Sequence, residues 1–171
     1  MKRITLFYLL LLFFGTSSFA QKMTGFGAEL SVLSIKPNVR LWISKTTGFE
    51  VFGGIASQID ENFKLDDYEA GFKFLHTLLY NRADRTYVGV VGKWKWAKGY
   101  IPNYKLNLPI AGILIGKEWY SKRIHRKSFA VELGYQYGEE NFKIKSPDAE
   151  GTFTEFALIL NLRYSFYKKS N

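Results

Sequence analysis

Cysteine is absent from the 171-residue chain, which removes disulfides, thiolate metal sites and cysteine nucleophiles together. Histidine occurs only at His76 and His125, too sparse a supply for a transition-metal centre that has no thiolates. The four prolines, Pro37, Pro102, Pro109 and Pro147, leave room for long extended segments, because each would interrupt backbone pairing in a sheet. Hydrophobic runs of about 18 residues or more, the length a membrane-crossing helix needs, are also missing. The longest run, residues 4–15, holds twelve.

That run follows Lys2 and Arg3 and leads into Thr16, Ser17, Ser18, Phe19 and Ala20. A basic start, a short apolar stretch and small residues at Ser18 and Ala20 describe a secretory signal peptide cleaved after Ala20. No cysteine follows it, so a lipoprotein anchor is excluded. The chain thus divides into a signal peptide, residues 1–20, and one mature domain, residues 21–171. Its formal charge is +9, and +7 without Lys2 and Arg3. Export argues against nucleic acid as the partner of this excess and in favour of anionic lipid headgroups.

What the mature sequence has in quantity is aromatic residues and alternation. From Gly25 onward the apolar period is two, not the 3.6 of a helix. The clearest strand is the last: Thr154, Phe156, Leu158, Leu160, Leu162, Tyr164 and Phe166 share one face, against Glu155, Ala157, Ile159, Asn161, Arg163 and Ser165. Before it, Phe129, Val131, Leu133, Tyr135 and Tyr137 oppose Ser128, Ala130, Glu132, Gly134 and Gln136. Segments near 27–34, 39–45, 49–58, 68–79, 86–96 and 106–119 bring the number of strands to eight, although in 106–119 apolar residues occupy both faces. Connections at 35–38, 59–67, 97–105 and 139–151 form a longer set, and those at 46–48, 80–85 and 121–127 a shorter one. An up-and-down barrel with both termini in the periplasm has this alternation.

A soluble barrel and a membrane barrel share such strands and differ in which face looks inward. With the apolar face outward, the inner face collects Glu29, Arg40, Glu50, Glu69, Lys73, Lys93, Lys95, Glu118, Glu132, Glu155 and Arg163. These nearly balanced charges are interspersed with Gly54, Ala56, Gly71, Gly89, Gly112, Gly116, Ala130, Gly134 and Ala157. An eight-stranded barrel has an interior just wide enough for side chains, so small residues make room for long charged ones. Arg163 is expected beside Glu132 or Glu155, and Trp42 inside the barrel. Lys45 and Lys117 are the charged exceptions on the apolar face. Trp94, Trp96, Trp119, Tyr120, Tyr135, Tyr137, Tyr164 and Phe166 fall at strand ends, the depth at which a membrane protein places its aromatic belts.

The whole mature chain resembles the small outer-membrane β-barrel proteins, the superfamily of OmpA-like and OmpX-like barrels. The likeness is carried by the signal peptide ending in Ala20 and Gln21, and by Pro37-Asn38-Val39-Arg40-Leu41-Trp42-Ile43-Ser44 running into Thr47-Gly48-Phe49-Glu50. The closing segment Leu158-Ile159-Leu160-Asn161-Leu162-Arg163-Tyr164-Ser165-Phe166 carries it as well. The resemblance implies an all-β, eight-stranded antiparallel transmembrane barrel in the outer membrane of a Gram-negative cell. It further implies lipids as its surroundings, and a last strand read by the barrel-assembly machinery. The family usually stops on the terminal aromatic, whereas here Tyr167-Lys168-Lys169-Ser170-Asn171 follow Phe166.

The sequence assigns no catalytic, cofactor-binding or metal-ligating residue. His125 and Ser128 resemble the pair of an outer-membrane lipid deacylase, but they lie in a basic turn with Lys122, Arg123, Arg126 and Lys127, where solvated charges beside lipid phosphates are the plainer reading. His76 is read as an interfacial residue. The acidic segment from Asp60 to Asp67 lacks the glycine turn and ligand spacing of a calcium loop. In Lys93-Trp94-Lys95-Trp96, alternation sends the bases and the indoles to opposite faces. The expectation is a non-enzymatic, monomeric outer-membrane barrel with a packed polar lumen, serving envelope structure or contacts through its outer loops. The alternatives are a soluble exported barrel that binds an apolar ligand and an outer-membrane lipid-modifying enzyme.

Overall fold

The computed structural model describes residues 23–31, 34–56, 67–98, 105–121, 127–145 and 148–169. Its regular elements are strands: β1 Met23–Ser31, β2 Ser34–Trp42, β3 Thr47–Ala56, β4 Asp67–Tyr80, β5 Asp84–Lys98, β6 Lys105–Tyr120, β7 Lys127–Lys145 and β8 Asp148–Lys169. Each pairs antiparallel with the next, and β1 pairs with β8 from Met23↔Lys169 to Ser31↔Asn161, which closes the barrel. Where β1 and β8 pair, from Met23 to Ser31, closure leaves the wall without a sheet edge, the condition for a sheet to stand in hydrocarbon.

The period of two becomes two surfaces. Phe26, Leu30, Val51, Phe72, Val90, Ile113, Leu133, Leu160 and Leu162 are exposed on the outside, whereas Glu29, Arg40, Glu50, Glu118, Glu132 and Arg163 are wholly buried. Apolar outside and charged inside is the arrangement of a membrane barrel and the inverse of a soluble one. In β6 the ambiguity resolves into an outer Ile113 and Ile115 and an inner Leu106, Leu108, Ile110 and Leu114.

Two expected loops are strand instead. Residues 35–38 belong to β2, where Pro37 lies opposite Ala28. The β2–β3 ladder is interrupted between Ile35↔Ile55 and Asn38↔Phe52, where proline has no N–H to give. The last β1–β2 pair is Ser31↔Ser34, so the connection comes earlier than expected, at residues that carry no glycine, proline or asparagine to announce it. Most of 139–151 extends β7 and β8, paired from Glu139↔Thr154 to Lys145↔Asp148. Phe142 and Ile144 do alternate there with Asn141, Lys143 and Lys145, but the stretch is short, charged and closed by Pro147, which hides it from a search for alternation.

The contrast of long and short loops is therefore replaced by a contrast in strand length. β1 and β2 have 9 residues each, while β7 has 19 and β8 has 22. β1 reaches only Asn161, and β6 pairs with β7 only as far as Gly138. Beyond those points β7 and β8 continue as a two-stranded ribbon at the end of the barrel opposite the paired Met23 and Lys169.

Candidate functional site: the barrel interior

Each strand sends one residue to a central polar layer: Glu29 from β1, Arg40 from β2, Glu50 from β3, Lys73 from β4, Tyr87 from β5, Glu118 from β6, Glu132 from β7 and Arg163 from β8. All are buried. Arg40 donates through Nε to Glu50 at 2.5 Å, through Nη2 to Glu132 at 2.5 Å and through Nη1 to the Tyr87 hydroxyl at 2.8 Å. Tyr87 in turn donates to Glu132 at 2.7 Å. The Lys73 ammonium pairs with Glu29, with Glu132 at 2.6 Å and with Glu50 at 2.9 Å. Glu29, Glu50 and Glu132 are the described carboxylates close enough together to hold a metal ion, and Lys73 already supplies the positive charge at that point. Buried charges are tolerable only when paired and hydrogen-bonded, and this layer meets that condition from eight directions.

Arg163 departs from expectation. Its partners are Glu118, with Glu50 at 3.7 Å, rather than Glu132 or Glu155. The long side chain also donates to Ser165 at 2.9 Å and Tyr167 at 3.3 Å, which carries the guanidinium toward the end bearing both termini. Glu132 is meanwhile occupied by Arg40, Lys73 and Tyr87.

Toward that end lies an aromatic layer. Tyr167 donates to Glu118 at 2.8 Å, and the Trp42 indole donates to the Tyr167 hydroxyl at 3.2 Å and to Glu118 at 3.3 Å. Trp42 is thus lumen packing, as expected. Two glycines make these rings fit: a Cβ at Gly48 would stand 2.5 Å from Trp42, and one at Gly116 would stand 2.6 Å from Tyr87. Toward the opposite end Lys93 pairs with Glu69 at 2.6 Å, and Lys95 with Glu155 at 3.1 Å and Asp67 at 3.7 Å. Leu106, Leu108 and Ile110 pack there with Phe153, so the interior is polar in its middle and apolar in part above it. A cavity of about 40 Å³ lies between Lys36, Lys73, Lys93, Gln136 and Asn161, room for about one water molecule.

The other sequence candidates scatter. Lys93 and Lys95 point inward while Trp94 and Trp96 are exposed outside, so they form no common strip. Ser128 is buried and donates to Glu118 at 2.6 Å, whereas His125 lies outside the described residues. His76 sits on β4 between Thr47 and Val88. Of the acidic segment, only Asp67 falls within the described residues. Tyr120, expected in an aromatic belt, is instead buried inside beside Tyr167; Lys36, Arg85 and Tyr167 went unassigned, and parity along each strand, carried through the ends, turns all four inward.

A closed eight-stranded barrel with an apolar outside, aromatic rims and a charge-paired interior has the fold of the small outer-membrane barrels. No protein-family model matches the chain, and no curated protein matches it in sequence. Among solved structures it is similar to the N-terminal β-barrel domain of Pseudomonas aeruginosa OprF, with a TM-score of 0.59 over 86% of this chain and 97% of that one at 9% identity. Neisserial surface protein A aligns over 86% of this chain and 92% of its own at 10% identity, with a TM-score of 0.40. The OprF likeness establishes the fold, and the resemblance read from the sequence holds at that level.

Proposed function

We propose that the protein is a non-enzymatic outer-membrane barrel whose filled interior anchors a contact surface, the β7–β8 ribbon, outside the cell. The observation that carries this reading is the asymmetry of the wall. Among the described residues, β8 from Asp148 to Leu160 pairs with β7 alone. An unpaired strand edge offers N–H and C=O groups to an extended partner segment, the physical basis of strand addition. The charge network supports a structural role for the lumen, since its carboxylates are committed to arginine and lysine rather than to a substrate.

Orientation and localisation are tested together. Asn141→Cys on the ribbon should react with a membrane-impermeant maleimide on intact cells, and Arg82→Cys at the opposite end only after the outer membrane is breached. The protein, processed after Ala20, should fractionate with the outer membrane and shift on a detergent gel when heated. Equal labelling of both positions on intact cells, or recovery in the soluble periplasm, overturns the reading.

A further inference from the structure

Arg85 stands apart from every other inward cation. Arg40, Lys73, Arg163, Lys36, Lys93 and Lys95 each lie within ion-pair distance of a carboxylate. Arg85 is 2% exposed, yet among the described residues it has no carboxylate, and its buried Nε and Nη1 have no hydrogen-bond partner. Its guanidinium carbon instead lies 3.6 Å from the centre of the Trp42 ring and 4.6 Å from that of Tyr80. Glu118 faces it in register on β6, but that carboxylate is taken by Arg163, Ser128, Tyr167 and Trp42.

A guanidinium stacked on rings keeps its N–H groups in the plane, and that planar fork matches an oxyanion. Leaving such donors buried and unmatched is costly. The surroundings favour an anion as the missing partner. Lys45, Arg82, Lys127 and Lys168 are exposed at this end, facing one acid, Asp84. A mouth ringed by one sign of charge concentrates counter-ions.

We propose that Arg85 is the recognition group of an oxyanion site at the mouth beside the chain termini, taking a phosphate or carboxylate against Trp42 and Tyr80. The site does not depend on which compartment this mouth faces, so it can fail while the functional reading stands, and the reverse. The oxyanion could be that of a free solute or that of a lipid headgroup at the rim.

The test uses Trp42 as reporter. The mature chain is prepared with Trp94, Trp96 and Trp119 replaced by phenylalanine and folded in phosphate-free octyl glucoside. Iodide should quench Trp42 saturably, and inorganic phosphate should relieve that quenching, whereas neutral acrylamide should quench weakly and linearly. Arg85→Gln, folded by the heat-shift criterion, should lose the saturable component at least five-fold, and Arg85→Lys should lose part of it. In phosphatidylglycerol nanodiscs, protection of Trp42 from iodide without added phosphate assigns the site to lipid headgroups. Relief by added phosphate equal to that in detergent assigns it to free anions. Quenching that is linear in iodide, indifferent to phosphate or unchanged in Arg85→Gln overturns the site and leaves Arg85 a structural cap on Trp42. Should Arg85→Gln fail to fold, the phosphate competition in the Arg85 protein decides alone.

Discussion

Arg163 and Leu162 are adjacent in β8 and meet opposite environments: Arg163 is wholly buried against Glu118, while Leu162 is exposed on the apolar outside. Arg163→Leu leaves Glu118 without its nearest cation, and breaking a buried pair in this way costs about 3–5 kcal/mol. Leu162→Arg puts a charge in lipid, at about 2–4 kcal/mol near the midplane. Unfolding by urea should find Arg163→Leu impaired equally in bilayers and micelles, whereas Leu162→Arg should recover in micelles. Equal behaviour of the two variants in both media means that the faces are assigned wrongly. Lys73 allows a second test at this scale. Lys73→Ala leaves Glu29, Glu50 and Glu132 facing one another without the central cation, an oxygen-rich arrangement suited to a hard divalent ion. The variant should be destabilised, and calcium should restore part of its stability in a chelator-reversible way. The Lys73 protein should not respond.

Among the elements, β8 was the most legible and the β1–β2 hairpin the least. Seven outward residues of β8, from Thr154 to Phe166, alternate without a break because one side meets an apolar medium and the other a filled interior. In the ribbon the alternation shrinks to Phe142 and Ile144 against Asn141, Lys143 and Lys145, too short and too charged a stretch to stand out, although the pairing continues to Lys145↔Asp148. Between Ser31 and Ser34, which pair, the sequence holds no glycine, proline or asparagine to mark a connection, so the expected hairpin falls too late along the chain. Partner choice inside the lumen was not legible either. Parity says that Arg163 points inward, but which acid it meets depends on register around the whole barrel and on the reach of a long side chain. The end of β8 bears on assembly. Lys168 and Lys169 pair with Thr24 and Met23, and Tyr167 points inward, so these residues extend the last strand beyond Phe166. Truncation after Phe166 should therefore lower the heat-modifiable form in cells more than truncation after Lys169. Tyr167→Phe, which removes the hydroxyl's contacts to Glu118, Trp42 and Arg163, should cost about 1–3 kcal/mol without blocking assembly. Equal levels for the two truncations place the assembly signal at Phe166 alone.

At the scale of the whole molecule, the interior decides what the barrel can transmit. Three layers fill it in succession: Trp42, Tyr120 and Tyr167 near the termini, the ion-paired residues in the middle, and Leu106, Leu108 and Ile110 with Phe153 toward the ribbon. A barrel of eight strands has space for side chains and no more, and the polar cavity between Lys36, Lys73, Lys93, Gln136 and Asn161 holds about 40 Å³. A continuous water column would have to break the middle layer, where each opened ion pair strands a charge. Purified protein in a planar bilayer should accordingly give no stable porin-sized conductance. Trp42→Ala should remain closed, because it opens only the aromatic layer and leaves Arg40, Lys73 and Arg163 in place. A triple replacement of Glu50, Glu118 and Glu132 by alanine removes the acids those cations share, and if that variant folds, its interior should admit ions. Nanosiemens steps from the unaltered protein contradict a filled interior. Conductance appearing already in Trp42→Ala places the barrier in the aromatic layer rather than in the charge network.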